Sequence, residues 1–149
     1  MMNNPVNILM KGVDVMFINI SNHPSSKWSE EQLNAARELG GKVIVDIQFP
    51  NVPSSVSGRD VEYMAIDLVN DIYFKIEGSD NTVAMVQGEP TLATTVIAML
   101  QDFCGIKVVA ACSDRNVEEI VLDDGAVKKN VIFKFIQFRE YPKLSKWAE

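Results

Sequence analysis

The stretch Val83-Ala-Met-Val-Gln-Gly-Glu-Pro-Thr-Leu-Ala-Thr-Thr-Val-Ile-Ala-Met-Leu100 decides the fold. An apolar strand stops at Gln87, Gly88-Glu89-Pro90 forms a polar corner, and a helix follows from about Thr91 to Phe103. Pro90 suits the first helical turn, where its missing amide hydrogen costs nothing. A strand that feeds directly into a helix through such a corner is the unit of α/β folds. Those folds bind small molecules beyond the carboxyl ends of their strands.

The same alternation continues on either side. Val13 to Ile20 is apolar except for Asp14 and Asn19, and predicts a central strand covered on both faces. A polar loop, Ser21 to Trp28, leads to Ser29 and Gln32 at capping-box spacing. Leu33, Ala36 and Leu39 mark the apolar face of the helix that follows, which Gly40-Gly41 ends. Lys42 to Ile47 predicts a second strand, which empties into a loop with Pro50 and Pro53. Val61, Ala65, Leu68, Ile72 and Ile76 recur at helical spacing. Gly78 to Asn81 reads as a turn before the strand Thr82 to Val86.

Beyond the third helix, Gly105 gives way to a fourth strand, Ile106 to Ala111. Cys112 to Glu119 is expected to hold a helical turn, Asp123-Asp-Gly125 a turn, and Val131 to Phe138 a final edge strand. The order βαβαβαββ predicts a Rossmann-like three-layer α/β fold. Its four parallel strands carry an antiparallel C-terminal edge strand, in the order 2-1-3-4-5. Residues 1–12 are expected to form a flexible extension, with Met16 as an alternative start, 13–141 a single domain, and 142–149 a tail.

Composition is that of a globular domain, 47% hydrophobic and 23% charged. The net charge of -6 argues against general affinity for DNA, RNA or anionic membranes. No run approaches the ~20 apolar residues of a membrane-spanning helix. Two cysteines, Cys104 and Cys112, and one histidine, His23, make no metal-ligand pattern, so neither metal nor cofactor is expected. The thiols are expected to be reduced in a cytoplasmic protein.

The predicted topology gathers four loops at one end of the sheet. Asn22, His23, Ser25 and Ser26 follow strand 1, and Phe49-Pro50 follows strand 2. Gly88, Glu89 and Thr91 follow strand 3, while Cys112, Ser113, Asp114 and Arg115 follow strand 4. Hydroxyls, amides and an arginine suit a phosphate or ribose ligand. Each residue also has a plainer reading. Gly88 admits a close ligand or makes the turn, and Thr91 binds phosphate or caps the helix. His23 carries a proton or is a structural loop histidine. Arg115, joined by Lys27, contacts an anion or pairs with a neighbouring carboxylate. Cys112 lacks an activating base. Glu89 acts as acid or base, or faces solvent. Trp28 stacks on a base or packs at the start of the first helix. Phe138-Arg-Glu-Tyr141 closes a pocket, contacts another subunit or is a solvated terminus. The glycine spacing of GxGxxG and the Walker A motif are both absent.

Four segments together resemble the stand-alone CRISPR-associated Rossmann-fold (CARF-like) group. They are Phe17-Ile-Asn-Ile-Ser-Asn-His-Pro-Ser-Ser-Lys-Trp28, Asp46-Ile-Gln-Phe-Pro-Asn-Val-Pro53, Gln87-Gly-Glu-Pro-Thr-Leu92 and Phe135-Ile-Gln-Phe-Arg-Glu-Tyr141. The resemblance spans roughly Met16 to Tyr141. It implies a homodimer that binds cyclic oligoadenylate at the strand ends in antiviral signalling, with ring-nuclease activity in some members. It places Asn22, Ser25, Ser26, Gly88 and Thr91 at the ligand, while Glu89-Pro90 replaces a glycine-rich, lysine-bearing stretch. The cleavage it implies uses no metal, with Arg115 and Lys27 stabilising charge and His23 carrying the proton. A sensor that binds the ring without cutting it, and a structural or interaction protein, are the alternatives.

Overall fold

A computed structural model describes residues 16–76 and 81–147. The expected extension, the start of strand 1 at Val13 to Val15 and most of the turn at Gly78 to Asn81 lie outside the described residues. The elements are β1 (Met16–Ser21), α1 (Glu30–Gly40), β2 (Val43–Gln48), α2 (Gly58–Ile76), β3 (Val83–Val86), α3 (Pro90–Cys104), β4 (Lys107–Val121) and β5 (Val127–Glu140). Short 3₁₀ turns occupy Ser25–Lys27 and Leu144–Trp147.

The five strands form one sheet in the order β2-β1-β3-β4-β5. Pairs β1–β2, β1–β3 and β3–β4 are parallel, and β4–β5 is antiparallel. This is the Rossmann-like α/β topology that the sequence predicts. Its connection reverses direction across the sheet between β1 and β3, which opens a crevice at their carboxyl ends.

Strand periodicity assigns the two faces. Ile18, Ile20, Ala84, Val86 and Val108 join the apolar sides of α2 and α3 in the larger core. Phe17, Val83, Met85 and Val109 face the other way, against Ala36 of α1 with Trp28 and Phe138. Gly40 explains the close seat of α1, because a Cβ there would stand 2.6 Å from the Cβ of Phe17. Ser29 caps α1 as its spacing predicts, accepting from the amide of Gln32 at 3.2 Å. A second box, unread in the sequence, starts α2: the Ser57 hydroxyl donates to Asp60 at 3.0 Å and accepts from the Asp60 amide at 3.2 Å. The Ser57 amide, donating at 3.0 Å, and then the Ser57 hydroxyl hold the Asp60 carboxyl below its ordinary pKa.

The C-terminal third departs from expectation. β4 does not stop at Ala111, and Cys112 to Glu119 holds no helical turn. The strand continues to Val121, paired with Val127 to Phe135, around a turn at the expected Asp123-Asp-Gly125. The β-branched pairs Val117–Val131 and Val121–Val127 stabilise a ladder over local helix preference. A register shift between Cys112 and Ser113 leaves Ile136 as the extra residue of a bulge. Beyond that bulge, every residue from Ser113 to Lys134 is exposed. The result is a two-stranded arm that extends past the sheet.

After β5 the chain folds back. The Tyr141 amide donates to the Val108 carbonyl at 2.9 Å, and Gln101 on α3 bonds both Pro142 O and the Leu144 amide at 3.0 Å. Phe138 and Tyr141 thus belong to the two cores rather than to a solvated terminus. Among the described residues, no helix is long and apolar enough to cross a membrane.

Candidate functional site

The carboxyl end of β1 carries two polar side chains in the buried interior, Asn19 at 1% and Ser21 at 5% exposure. Buried polar groups require partners, and here the partners shape the loop. The Ser21 hydroxyl donates to Asn19 Oδ1 at 2.7 Å. Asn19 Nδ2 donates to the His23 carbonyl at 2.8 Å and to Asp46 Oδ1 at 2.9 Å. Asp46 then receives the Ser25 amide at 3.1 Å and the Ser25 hydroxyl at 2.8 Å. Trp28 Nε1 also donates to the His23 carbonyl, at 3.2 Å. The loop is pinned through its backbone, which leaves the His23 side chain to line the adjoining groove.

That groove, about 910 Å³, lies at the carboxyl ends of β1 and β3 and alongside β4 and β5. Met85, Gln87 and Ala111 line it along the sheet, with His23, Lys27 and Trp28 on one flank. The base of the arm forms the other flank, with Ser113, Phe133, Lys134 and Phe135. Rigid aromatic packing supports the first flank: Trp28 meets Phe17 edge-on at 6.0 Å and Phe138 at 6.1 Å between ring centroids. This is the packing role open to Trp28 from its position. Glu31 and Glu118 share the groove with Lys27 and Lys134, so its charge is mixed.

Of the expected site residues, the groove brings together His23, Lys27 and Ser113. Ser25 is held on Asp46 beside it, and Asn22 lines a smaller cleft of about 270 Å³ with Asp46. Ser26 is exposed and lines none of these cavities. Gly88 lies in a separate cleft of about 370 Å³ with Tyr141 and Leu144. Its small size has a packing cause, since a Cβ at Gly88 would fall on the ring of Phe49, which is itself buried.

The corner after β3 is occupied by its own cap. Glu89, rather than Thr91, is the N-cap of α3. Its carboxylate accepts the Leu92 amide at 2.9 Å and the Thr91 hydroxyl at 2.6 Å. The Thr91 hydroxyl and then the Leu92 amide hold the Glu89 carboxyl below its ordinary pKa. Pro90 fixes the first helical residue, and the longer glutamate reaches back where serine or aspartate is customary.

Arg115 is placed differently from its sequence expectation. It stands on the β4 ladder opposite Phe133, past the bulge, and lines none of the three cavities. The expectation fails because β4 does not end before it. Among the described residues Arg115 forms no salt bridge with Asp114, Glu118 or Glu119. Cys112 also stays off the groove, and both cysteines are free thiols. Among the described residues, no group of three or more His, Cys, Asp or Glu side chains could hold a metal ion.

Asn19 and Asp46 are the residues that sequence reading missed. They are register partners on β1 and β2, each a polar residue within an apolar strand. That interruption at matched distances from two strand ends was the available signal.

The sequence profile of the uncharacterized protein MJ1673 family matches residues 15–139, from the start of β1 nearly to the end of β5. The chain belongs to this family. The match takes in His23, Lys27, Asp46, Gln87 and Ser113, together with the whole arm. No curated protein and no solved structure matches the chain significantly.

Proposed function

We propose that this domain, as a homodimer, binds cyclic oligoadenylate in the groove at the ends of β1 and β3 and alongside β4, and cleaves it without a metal, in CRISPR antiviral signalling. The observation that supports the reading best is the meeting of His23, Lys27 and Ser113 with Gln87 along one groove at the topological switch. A ring of nucleotides needs a wide, open site, and about 910 Å³ is near the upper end for small-molecule pockets. Lys27 and Lys134 supply positive charge for phosphates, and Trp28 and Phe135 offer flat apolar surface for bases.

In the cleavage step, a ribose 2′-oxygen attacks its own 3′-phosphate and the 5′-oxygen of the next nucleotide leaves. The products are a 2′,3′-cyclic phosphate and a 5′-hydroxyl. The proton lost by the 2′-hydroxyl is matched by one gained by the leaving oxygen. His23 is the carrier, Lys27 stabilises charge on the phosphate, and the remaining rate comes from in-line positioning. Arg115, whose side chain does not line the groove, has no part in this version of the step.

Binding without cleavage is the second reading. It is favoured by the His23 imidazole, which has no hydrogen-bond partner among the described residues to fix its orientation. Purified protein incubated with cyclic tetra- and hexa-adenylate, with products separated by chromatography, distinguishes the two. Turnover that persists in EDTA and falls at least tenfold in His23→Ala is expected. Binding with no product selects the sensor, and no binding of either ring sinks both.

A further inference from the structure

The cleft of about 370 Å³ at the end of β3 has no part in the cleavage step, yet it is built like a small-molecule site. Val86, Ala93 and Ile97 give it apolar surface, and the half-buried Tyr141 adds an aromatic ring. The Gln87 side chain also lines it and makes no hydrogen bond among the described residues. Apolar cavities of ~300–1,000 Å³ with a few convergent polar groups are the usual form of such sites. Among the described residues, no charged side chain lines this one.

Its far side is fixed in advance. Gln101 Nε2 donates to the Pro142 carbonyl at 3.0 Å, and Gln101 Oε1 accepts the Leu144 amide at 3.0 Å. The Ser145 hydroxyl adds a bond to Asp102 at 2.9 Å. These bonds tie the segment after β5 to α3, so a ligand need not order it on arrival. β4 supplies the room. Its buried Val108-Val109 gives way to the half-buried Ala110-Ala111, although a strand favours β-branched residues over alanine.

The cleft and the groove share two residues, Gln87 and Ala111. The groove carries His23, Lys27 and Lys134 with two glutamates, whereas the lining of the cleft is uncharged. A nucleotide is divided in the same way, into an anionic sugar-phosphate and a neutral, flat base. A carboxamide offers a donor and an acceptor side by side, which matches the edge of adenine.

We infer that this cleft is a base-binding subsite, taking one adenine while the phosphates of the ring lie in the groove. Gln87 reads the edge of the base and Tyr141 packs against it. The inference rests on the preceding reading for the identity of the whole ligand, whereas the cleft itself is tested with a single nucleoside.

Calorimetric titration of the full chain with adenosine, which carries no phosphate, makes that test. Wild type is expected to bind adenosine, and ribose 5-phosphate not to compete with it. Ala110→Leu fills the cleft from a position that does not line the groove, and Tyr141→Leu removes the ring but keeps apolar bulk. Each is expected to weaken adenosine binding about tenfold or more, with far-UV circular dichroism unchanged. Tyr141→Leu decides the matter if Ala110→Leu misfolds. Adenosine affinity unchanged in the folded variants overturns the subsite and leaves the groove reading intact. So does a wild type that binds cyclic tetra-adenylate but no adenosine at millimolar concentration, or competition by ribose 5-phosphate. Adenosine binding lost in both variants, in a protein that binds neither cyclic tetra- nor hexa-adenylate, upholds the cleft as a nucleoside site and sinks the groove reading alone.

Discussion

The sheet body and the β4–β5 arm are built from similar residues but held by different forces. In the body, β1 and β3 are covered on both faces, and each ends at a polar loop held by side-chain hydrogen bonds. In the arm, valines and phenylalanines of equal hydrophobicity stand in solvent, joined only by cross-strand pairs. The difference teaches that strand propensity is enough to extend a ladder, but burial is what makes it a core. It also locates function at the boundary, because the candidate groove lies where the covered sheet gives way to the arm.

Substitutions in the two regions can break this comparison. Phe17→Ala removes a fully buried ring that holds Trp28 and Phe138, and should cost about 3–5 kcal/mol in urea unfolding. A loss below 1 kcal/mol would mean that this side of the sheet is loosely packed. Asp46→Ala removes the acceptor of three hydrogen bonds at the β1 loop and should cost about 1–2 kcal/mol. Asp46→Asn should recover most of that loss, since its carbonyl still accepts from Asn19 and the Ser25 amide. If the two variants unfold alike, the bonds contribute little.

Val117→Ala, in the arm, should change the stability of the monomer by less than about 1 kcal/mol, measured at a protein concentration too low for association. A cost like that of Phe17→Ala would show that the arm is buried within one chain. The smallest effect concerns the corner after β3. Glu89 is bound more tightly as a carboxylate in the folded state, so its contribution is present above the unfolded carboxyl pKa and lost as pH falls through the depressed folded one. Glu89→Gln should therefore lower the melting temperature slightly at pH 7, with the gap closing on acidification below about pH 4. A gap independent of pH would refute the cap's ionic character.

The alternation of apolar runs and capped helices was enough to read the body of the fold, because each element's pattern is local. Ser29 with Gln32 marks a helix start and Gly40-Gly41 its end, whatever else surrounds them. The candidate site was legible only in part. His23 and Lys27 follow from strand order, since a strand end places its loop; Ser113 reaches the groove from within β4 rather than from a loop after it. Asn19 and Asp46 were hidden because their partnership spans two strands and depends on register. From sequence Glu89 is an acid, a base or a solvated residue and Thr91 a phosphate ligand or the cap, because a glutamate's reach back to an amide depends on rotamer rather than on spacing.

By itself the sequence determined a five-stranded α/β sheet in the order β2-β1-β3-β4-β5, for hydrophobic period and connection length leave few other arrangements. Only the tertiary structure decided that β4 runs on past Ala111, so that Ser113 and Arg115 stand on a strand rather than in a loop and only Ser113 of the two lines the groove. Pairing with β5, a contact between residues far apart in the chain, outweighed the local preference of Cys112 to Glu119 for a turn of helix. The division is physical: local pattern selects an element, and long-range pairing selects where it stops.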